Sequence, residues 1–287
     1  MERRYTLSLS CPDATGIVAR ITTFLADIDG WIVEAAYHSD PDSGNFFTRQ
    51  VIRADSLSFG VDELRDRFAL IADHLDAHQW QVTDSAVRKT AVVLVSKEGH
   101  CLYELLAQWH SGALGADIAC VIGNHADLAG VASMFGLPFV HVPVPTDPDG
   151  KAAAFDRIRS EVDTHSPDAI VLARFMQVVP PRLCAEWSGR LINIHHGFLP
   201  SFQGARPYHQ AHTRGVKMIG ATCHYVTADL DAGPIIDQDV IRIDHSDSAA
   251  DMARRGRDIE KAVLARGLAY HLQDRVLLDG LRTVVFG

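Results

Sequence analysis

The chain has 287 residues, 47% of them hydrophobic, and a formal net charge of -9 at pH 7. That length and apolar content suffice for a large domain or for a large and a small one, and the acidic balance offers no positive field to recruit nucleic acid or an anionic membrane. Five cysteines, Cys11, Cys101, Cys120, Cys184 and Cys223, form an odd set without CxxC or zinc-ligand spacing, and read as reduced core thiols. The opening MERRYTLSLS passes from charges straight into alternation, with neither a signal-peptide apolar stretch nor a membrane-length span. A soluble, cytoplasmic protein is expected.

Alternation over residues 5–10 predicts a strand, CPDATG breaks it, and apolar spacing from Ile17 to Leu25 predicts a helix. Two strand-like runs, 31–38 and 46–52, flank the hairpin loop DPDSGN. A helix over 61–75 and a closing strand over 79–83 complete the order βαββαβ, a small ferredoxin-like α+β unit over residues 1–85. Beyond Ser85 the pattern changes to continuous apolar runs at 91–95, 118–122, 139–144, 169–173 and 191–194, with helical segments between them over 102–109 and 151–162 and with Asp127 as the expected cap of another. Longer strands over 217–226 and 235–243 are joined by TADLDAGP, and a helix over 249–272 closes the chain. This is the grammar of a Rossmann-like, mainly parallel α/β domain over 86–287, whose ligands sit beyond the carboxyl ends of its strands.

One such end reads LINIHHGFLP. Asn193 and His195 are two apart, so on a strand they share a face and can both address one carbonyl oxygen. A loop carboxylate, Asp231 in LDAGP, is the natural third partner. Alone, the pair is more often the turn amide and surface histidine of an ordinary strand end than a catalytic pair, and Asp before Gly is common turn chemistry. A metal held by His195, His196 and His224 is not expected, because adjacent strand residues face opposite ways and no HExxH spacing is present.

Two blocks, NIHHGFLPSFQGARPYHQA and GATCHYVTADLDAGPIIDQ, resemble the folate-dependent formyltransferase family, whose signature is Asn-x-His, a Leu-Pro pair and an Asp in a D-x-G-x-I loop. The resemblance runs from about Lys89 to the C-terminus and includes LARFMQVVP, which is similar to the family's pterin-binding segment. It implies Asn193, His195 and Asp231 as the catalytic trio and 10-formyltetrahydrofolate as formyl donor, with no separate cofactor. It also implies a substrate site at Phe175, Met176, Gln177 and Val178, at Val226, Thr227 and Asp229, and at Gly197, Leu199 and Gly204 of the first block. His224 is a candidate pocket residue and Arg206 a candidate counter-charge for the anionic glutamate tail. Where the family usually has Ser, this chain has Gly197.

The N-terminal unit, with CPDATGIVARITTFL at its first strand-to-helix turn, resembles an ACT domain. That likeness implies an amino-acid effector near Asp13, Gly16 and Ile17, with glycine or methionine the first to test, or assembly into a homodimer or homotetramer. An ACT domain joined to a formyltransferase domain implies water as the formyl acceptor. The residues agree: glycinamide ribonucleotide formyltransferases carry a Gly-rich loop for the acceptor's phosphate, whereas Ser96-Lys97-Glu98-Gly99-His100-Cys101 has one glycine and a carboxylate there. Transfer to an amine and a non-catalytic folate or amino-acid sensor are the alternatives.

Overall fold

The computed structural model describes residues 2–201 and 207–287. The chain forms two compact units, Met1–Arg88 together with Gln273–Gly287, and Lys89–Leu272.

In the first unit, β1 (Arg4–Pro12), α1 (Ile17–Asp27), β2 (Ile32–Asp40), β3 (Asn45–Arg53), α2 (Val61–His74) and β4 (Gln79–Asp84) follow the expected order. The strands make an antiparallel sheet ordered β2-β3-β1-β4. Its core follows from two periodicities: every second residue of β1 (Tyr5, Leu7, Leu9, Cys11) meets the three-to-four spacing of α1 (Ile17, Ile21, Leu25) and α2 (Leu64, Phe68, Ala72).

The second unit contains β5 (Thr90–Val95), α3 (His100–His110), β6 (Asp117–Gly123), α4 (Ala129–Met134), β7 (Phe139–His141), α5 (Pro148–His165), β8 (Ala169–Ala173), α6 (Pro181–Glu186), β9 (Leu191–His195), α7 (Pro207–Arg214), β10 (Met218–Tyr225), β11 (Ile235–Arg242) and α8 (Ala249–Leu272). Its sheet is ordered β11-β10-β9-β8-β5-β6-β7, parallel from β9 to β7, with β10 and β11 antiparallel. Central strands are apolar throughout because both faces are covered: Ala169 to Ala173 are all buried on β8. Connections run outward from β5 through β6 to β7, then return to β8 on its other side, so a crevice opens at the carboxyl ends of β5 and β8. Asp127 does not cap α4, which begins after Leu128; Asp147 instead caps α5, accepting from Gly150 N at 2.7 Å.

The tail departs from the expected domain boundary. A hairpin, β12 (Val276–Asp279) with β13 (Arg282–Val285), belongs to the first unit, where Leu277 and Phe286 bury against Phe47. Asp274 fixes it to the sheet, accepting from Gln81 Nε2 at 2.9 Å and from Thr83 Oγ1 at 2.7 Å. All five cysteines are buried and unpaired. Among the described residues no helix is long and apolar enough to cross a membrane.

Candidate active site

The crevice deepens into a cavity of about 460 Å³. Its walls come from the segment after β8, the end of β9 and the loop between β10 and β11. Phe175 is buried and meets Phe155 edge-on at 6.4 Å, so it serves core and cavity together, whereas Met176 and Val178 line the cavity while half exposed. Met176 N donates to Ser96 Oγ at 2.9 Å, tying this wall to the end of β5.

Asn193, His195 and Asp231 all line this cavity. Asn193 and His195 arrive on one face of β9 through the two-residue period. Asp231 is carried in by a loop that Tyr225 N closes by donating to Pro234 O at 2.9 Å. Asp231 itself has φ 55°, a left-handed conformation that Asp tolerates better than most residues. Two residues on, a Cβ at Gly233 would lie 1.8 Å from Tyr225 O, so only glycine lets the loop turn back so closely.

His195 Nδ1 lies 3.3 Å from Asp231 Oδ1, with both side chains almost fully buried. An ionised carboxylate only accepts, so the Nδ1 proton is directed at Asp231. On the neighbouring strand His224 supplies a second constraint. Its Nδ1 donates to Tyr225 O at 2.8 Å, leaving Nε2 as acceptor for Asn193 Nδ2 at 3.1 Å. Burial lowers the His224 pKa, keeping the ring neutral as this arrangement requires. The amide of Asn193 is thereby turned so that one N–H is held and the other remains to donate.

Val226, Thr227 and His224 line the cavity, with Gln177, Ala228 and Leu230. Gly197, Leu199 and Asp229 are not among its walls. Gly197 O accepts from Thr222 Oγ1 at 2.9 Å, and Leu199 N donates to the same hydroxyl at 3.1 Å, so a buried threonine on β10 holds this turn without help from a side chain at 197. Gly204 and Arg206 lie outside the described residues. In the first unit Gly16 borders a shallow concavity with Arg20, Phe24 and Asp27, Ile17 is buried, and Asp13 accepts a hydrogen bond from Ser39.

A second polar cluster lies beside the first and has no counterpart in the sequence reading. Glu260 of α8 is 1% exposed and accepts from Tyr208 Oη at 2.6 Å and from His100 Nε2 at 2.8 Å. A Cβ at Gly256 would fall 1.9 Å from that tyrosine oxygen, so glycine on α8 makes room for the phenol. Burial alone would raise the Glu260 pKa; the His100 hydrogen bond, the Arg174 charge and the Tyr208 hydrogen bond outweigh it and bring it to about 2. Glu260, His100 and Cys101 also place donor atoms within 4.8 Å of one another. Both Glu260 oxygens are already engaged by hydrogen-bond donors, and burial holds the Cys101 thiol protonated, so the cluster is built as a hydrogen-bond network rather than a metal cage. His196, whose ring packs 6.0 Å from Tyr208, is lowered to about 4, by burial first and by the Arg174 charge second.

The Formyl transferase family model matches residues 89–268. The chain belongs to the formyl transferase family. A formyltetrahydrofolate deformylase of Synechocystis sp. is 42% identical, with 98% of each chain covered. The crystal structure of a formyltetrahydrofolate deformylase from Pseudomonas syringae pv. tomato superposes with TM-score 0.97 at 54% identity, covering 100% of this chain and 95% of that one. Glycinamide ribonucleotide transformylase 1 from Symbiobacterium toebii covers only 70% of this chain and 95% of its own, at TM-score 0.64 and 28% identity. Within this formyl transferase family member, the expectation of a mainly parallel α/β fold is met by the sheet of the second unit.

Proposed function

We propose that this protein hydrolyses 10-formyltetrahydrofolate to formate and tetrahydrofolate. The observation that carries the reading is that Asn193, His195 and Asp231 line one cavity of about 460 Å³, with His195 Nδ1 3.3 Å from Asp231 Oδ1. Relatives that share nearly the whole chain, both units included, bear the name of that hydrolase. The folate is the substrate and no separate cofactor takes part.

Asp231 positions a water and, coupled to His195, takes its proton as the water oxygen bonds to the formyl carbon. The carbonyl π electrons move onto oxygen, where the remaining N–H of Asn193 and, with the water proton now carried on its Nε2, the N–H of His195 stabilise the charge. Collapse of the tetrahedral adduct breaks the bond to N10, which keeps the electron pair and receives a proton through His195. The formic acid formed then gives up its proton. His224 acts as a positioning residue by fixing the Asn193 amide. The apolar wall of Phe175, Met176 and Val178 seats the pterin, the backbone of 226–229 hydrogen-bonds its edge, and the 197–206 segment, with Arg206, serves the folate's other end.

The first unit is read as an ACT domain of a cytoplasmic homo-oligomer, with Asp13, Gly16 and Ile17 the place for an amino-acid effector such as glycine or methionine. Its βαββαβ order and antiparallel sheet with β2 at an edge support this reading. Sedimentation with and without each amino acid, beside calorimetric titration, tests it: a monomer with no heat change contradicts it.

The catalytic reading is tested by incubating the purified protein with 10-formyltetrahydrofolate without any amine and quantifying both products. Equal, enzyme-dependent yields of formate and tetrahydrofolate are expected. Turnover only upon adding an amine, with a formylated amine as product, would make the protein a transferase instead.

A further inference from the structure

A second cavity, of about 170 Å³, shares Arg174 and His196 with the large one. These are the first residues beyond two neighbouring parallel strands, β8 and β9. The His196 ring stands 5.4 Å from the ring of His195 and 6.0 Å from that of Tyr208, a wall of the second cavity, so it is neighbour to both the trio and that cavity. Arg174 reaches the same place from β8. Its side chain is 12% exposed, with Nε 3.4 Å from Glu260 Oε2 and with Nε and Nη1 enclosed. Glu260 is itself held by Tyr208 and His100, so the arginine is anchored at its far end to a fixed, buried carboxylate. The backbone at its near end suits glycine: φ is 61°, a left-handed conformation unfavourable for a residue with a Cβ. The other non-glycine residues with positive φ among the described residues are aspartates and one serine, whose short polar side chains bond locally. A long side chain on a glycine-type backbone, pinned at its tip between two cavities, is placed there for the space it fills.

We propose that Arg174, with His196 beside it, is the wall that restricts the formyl acceptor to water. The proposal rests on the hydrolytic reading and names what makes it selective. A small amine has room in the second cavity, and its chemistry at the trio would parallel that of water. The amine lone pair would bond to the formyl carbon and its proton would pass to the coupled Asp231 and His195. The bond to N10 would then break, N10 keeping the electron pair and taking a proton. Because amines are the stronger nucleophiles, hydrolysis is secured by keeping them away from the carbon rather than by binding water better. The pinned arginine does this by occupying the passage, whereas water at Asp231 needs none.

The test supplies 10-formyltetrahydrofolate together with methoxyamine, whose nitrogen is unprotonated at neutral pH, and quantifies N-methoxyformamide against formate after subtracting the enzyme-free rate. This product ratio does not depend on how much of the enzyme is active, so a merely structural defect leaves it unmoved. Wild type is expected to give formate almost alone. In Arg174→Gly, which suits the backbone and joins the two cavities, the ratio is expected to rise at least tenfold, while Arg174→Lys stays near wild type. Should Arg174→Gly fail to fold, Arg174→Gly with Glu260→Gln removes both charges together, and His196→Ala opens the other half of the wall; each carries the same expectation. Formate as the sole product of a folded Arg174→Gly that binds tetrahydrofolate overturns the proposal, as does wild-type formylation of methoxyamine at the ratio of the variant. A wild type that releases no formate without amine, beside an Arg174→Gly that formylates methoxyamine, would sustain the wall and remove the hydrolytic reading alone.

Discussion

The two cavities on either side of Arg174 and His196 are built on opposite plans. The larger has mainly apolar walls, and its reactive groups come in pairs: His195 with Asp231, Asn193 with His224. The smaller mixes Pro207, Ala249 and Ala253 with charged and ring groups, of which Tyr208 bonds Glu260 and Arg174 stands in ion-pair range of it. The contrast teaches how one sheet end divides its work. On the proposed reading the larger cavity holds a planar organic substrate by surface and shape and meets its developing charge with Asn193 and His195, while the Glu260 network beside it is a closed set of hydrogen bonds.

The largest expected effect comes from breaking the reactive pairs. Asp231→Asn keeps the shape but removes the proton acceptor, and His195→Ala removes the proton carrier; each is expected to lower kcat by ~10³- to 10⁴-fold with folate binding retained. Single-turnover rates and fluorescence binding of tetrahydrofolate check this, and a loss under tenfold in either variant would dissolve the pair as the engine of the reaction. Asn193→Ala should follow at ~10²- to 10³-fold, the range for one lost oxyanion donor. A smaller fall is expected for His224→Phe, about tenfold in kcat with KM little changed, because the amide of Asn193 survives but loses its orientation.

The small cavity predicts stability changes instead. Gly256→Ala would set a Cβ 1.9 Å from Tyr208 Oη and is expected to destabilise by about 1–3 kcal/mol, read in urea denaturation. Its two titrating neighbours act at different pH. His196 is lowered from 6.5 to about 4, so the unfolded chain binds its proton first and stability should fall as pH drops from about 6.5 toward 4. Glu260 is lowered from 4.5 to about 2, so its contribution is complete above about 4.5 and is lost as pH falls toward 2. In His196→Gln the upper of these two slopes should flatten while the lower remains, as followed by thermal melts across pH 3–7.

The same contrast explains what could be read without a structure. Asn193 and His195 are legible because a two-residue period fixes their common face, and Asp231 because D-x-G marks a turn between two strands. The small cavity was illegible. Arg174, His100, Tyr208 and Glu260 lie on four separate elements or their ends, and nothing in local periodicity says that a helix residue late in the chain meets a loop arginine. Gly256 was a faint signal, since glycine inside a helix usually has a packing reason. The N-terminal sheet followed its alternation closely, yet the closing hairpin was missed although Asp279 and Gly280 stand between two apolar runs, a turn signal of the kind that joins paired strands. That its partner unit is the first rather than the second is a matter of tertiary packing around Phe47 and Asp274, which no local pattern encodes.

In the proposed mechanism water, placed by Asp231 and His195, is the group that takes the formyl carbon. Turnover of 10-formyltetrahydrofolate in 18O-enriched water tests it most directly. Formate carrying one solvent oxygen atom per molecule is expected, formed in step with tetrahydrofolate and abolished in Asp231→Asn. Unlabelled formate, or labelled formate at the same rate in Asp231→Asn, would contradict it.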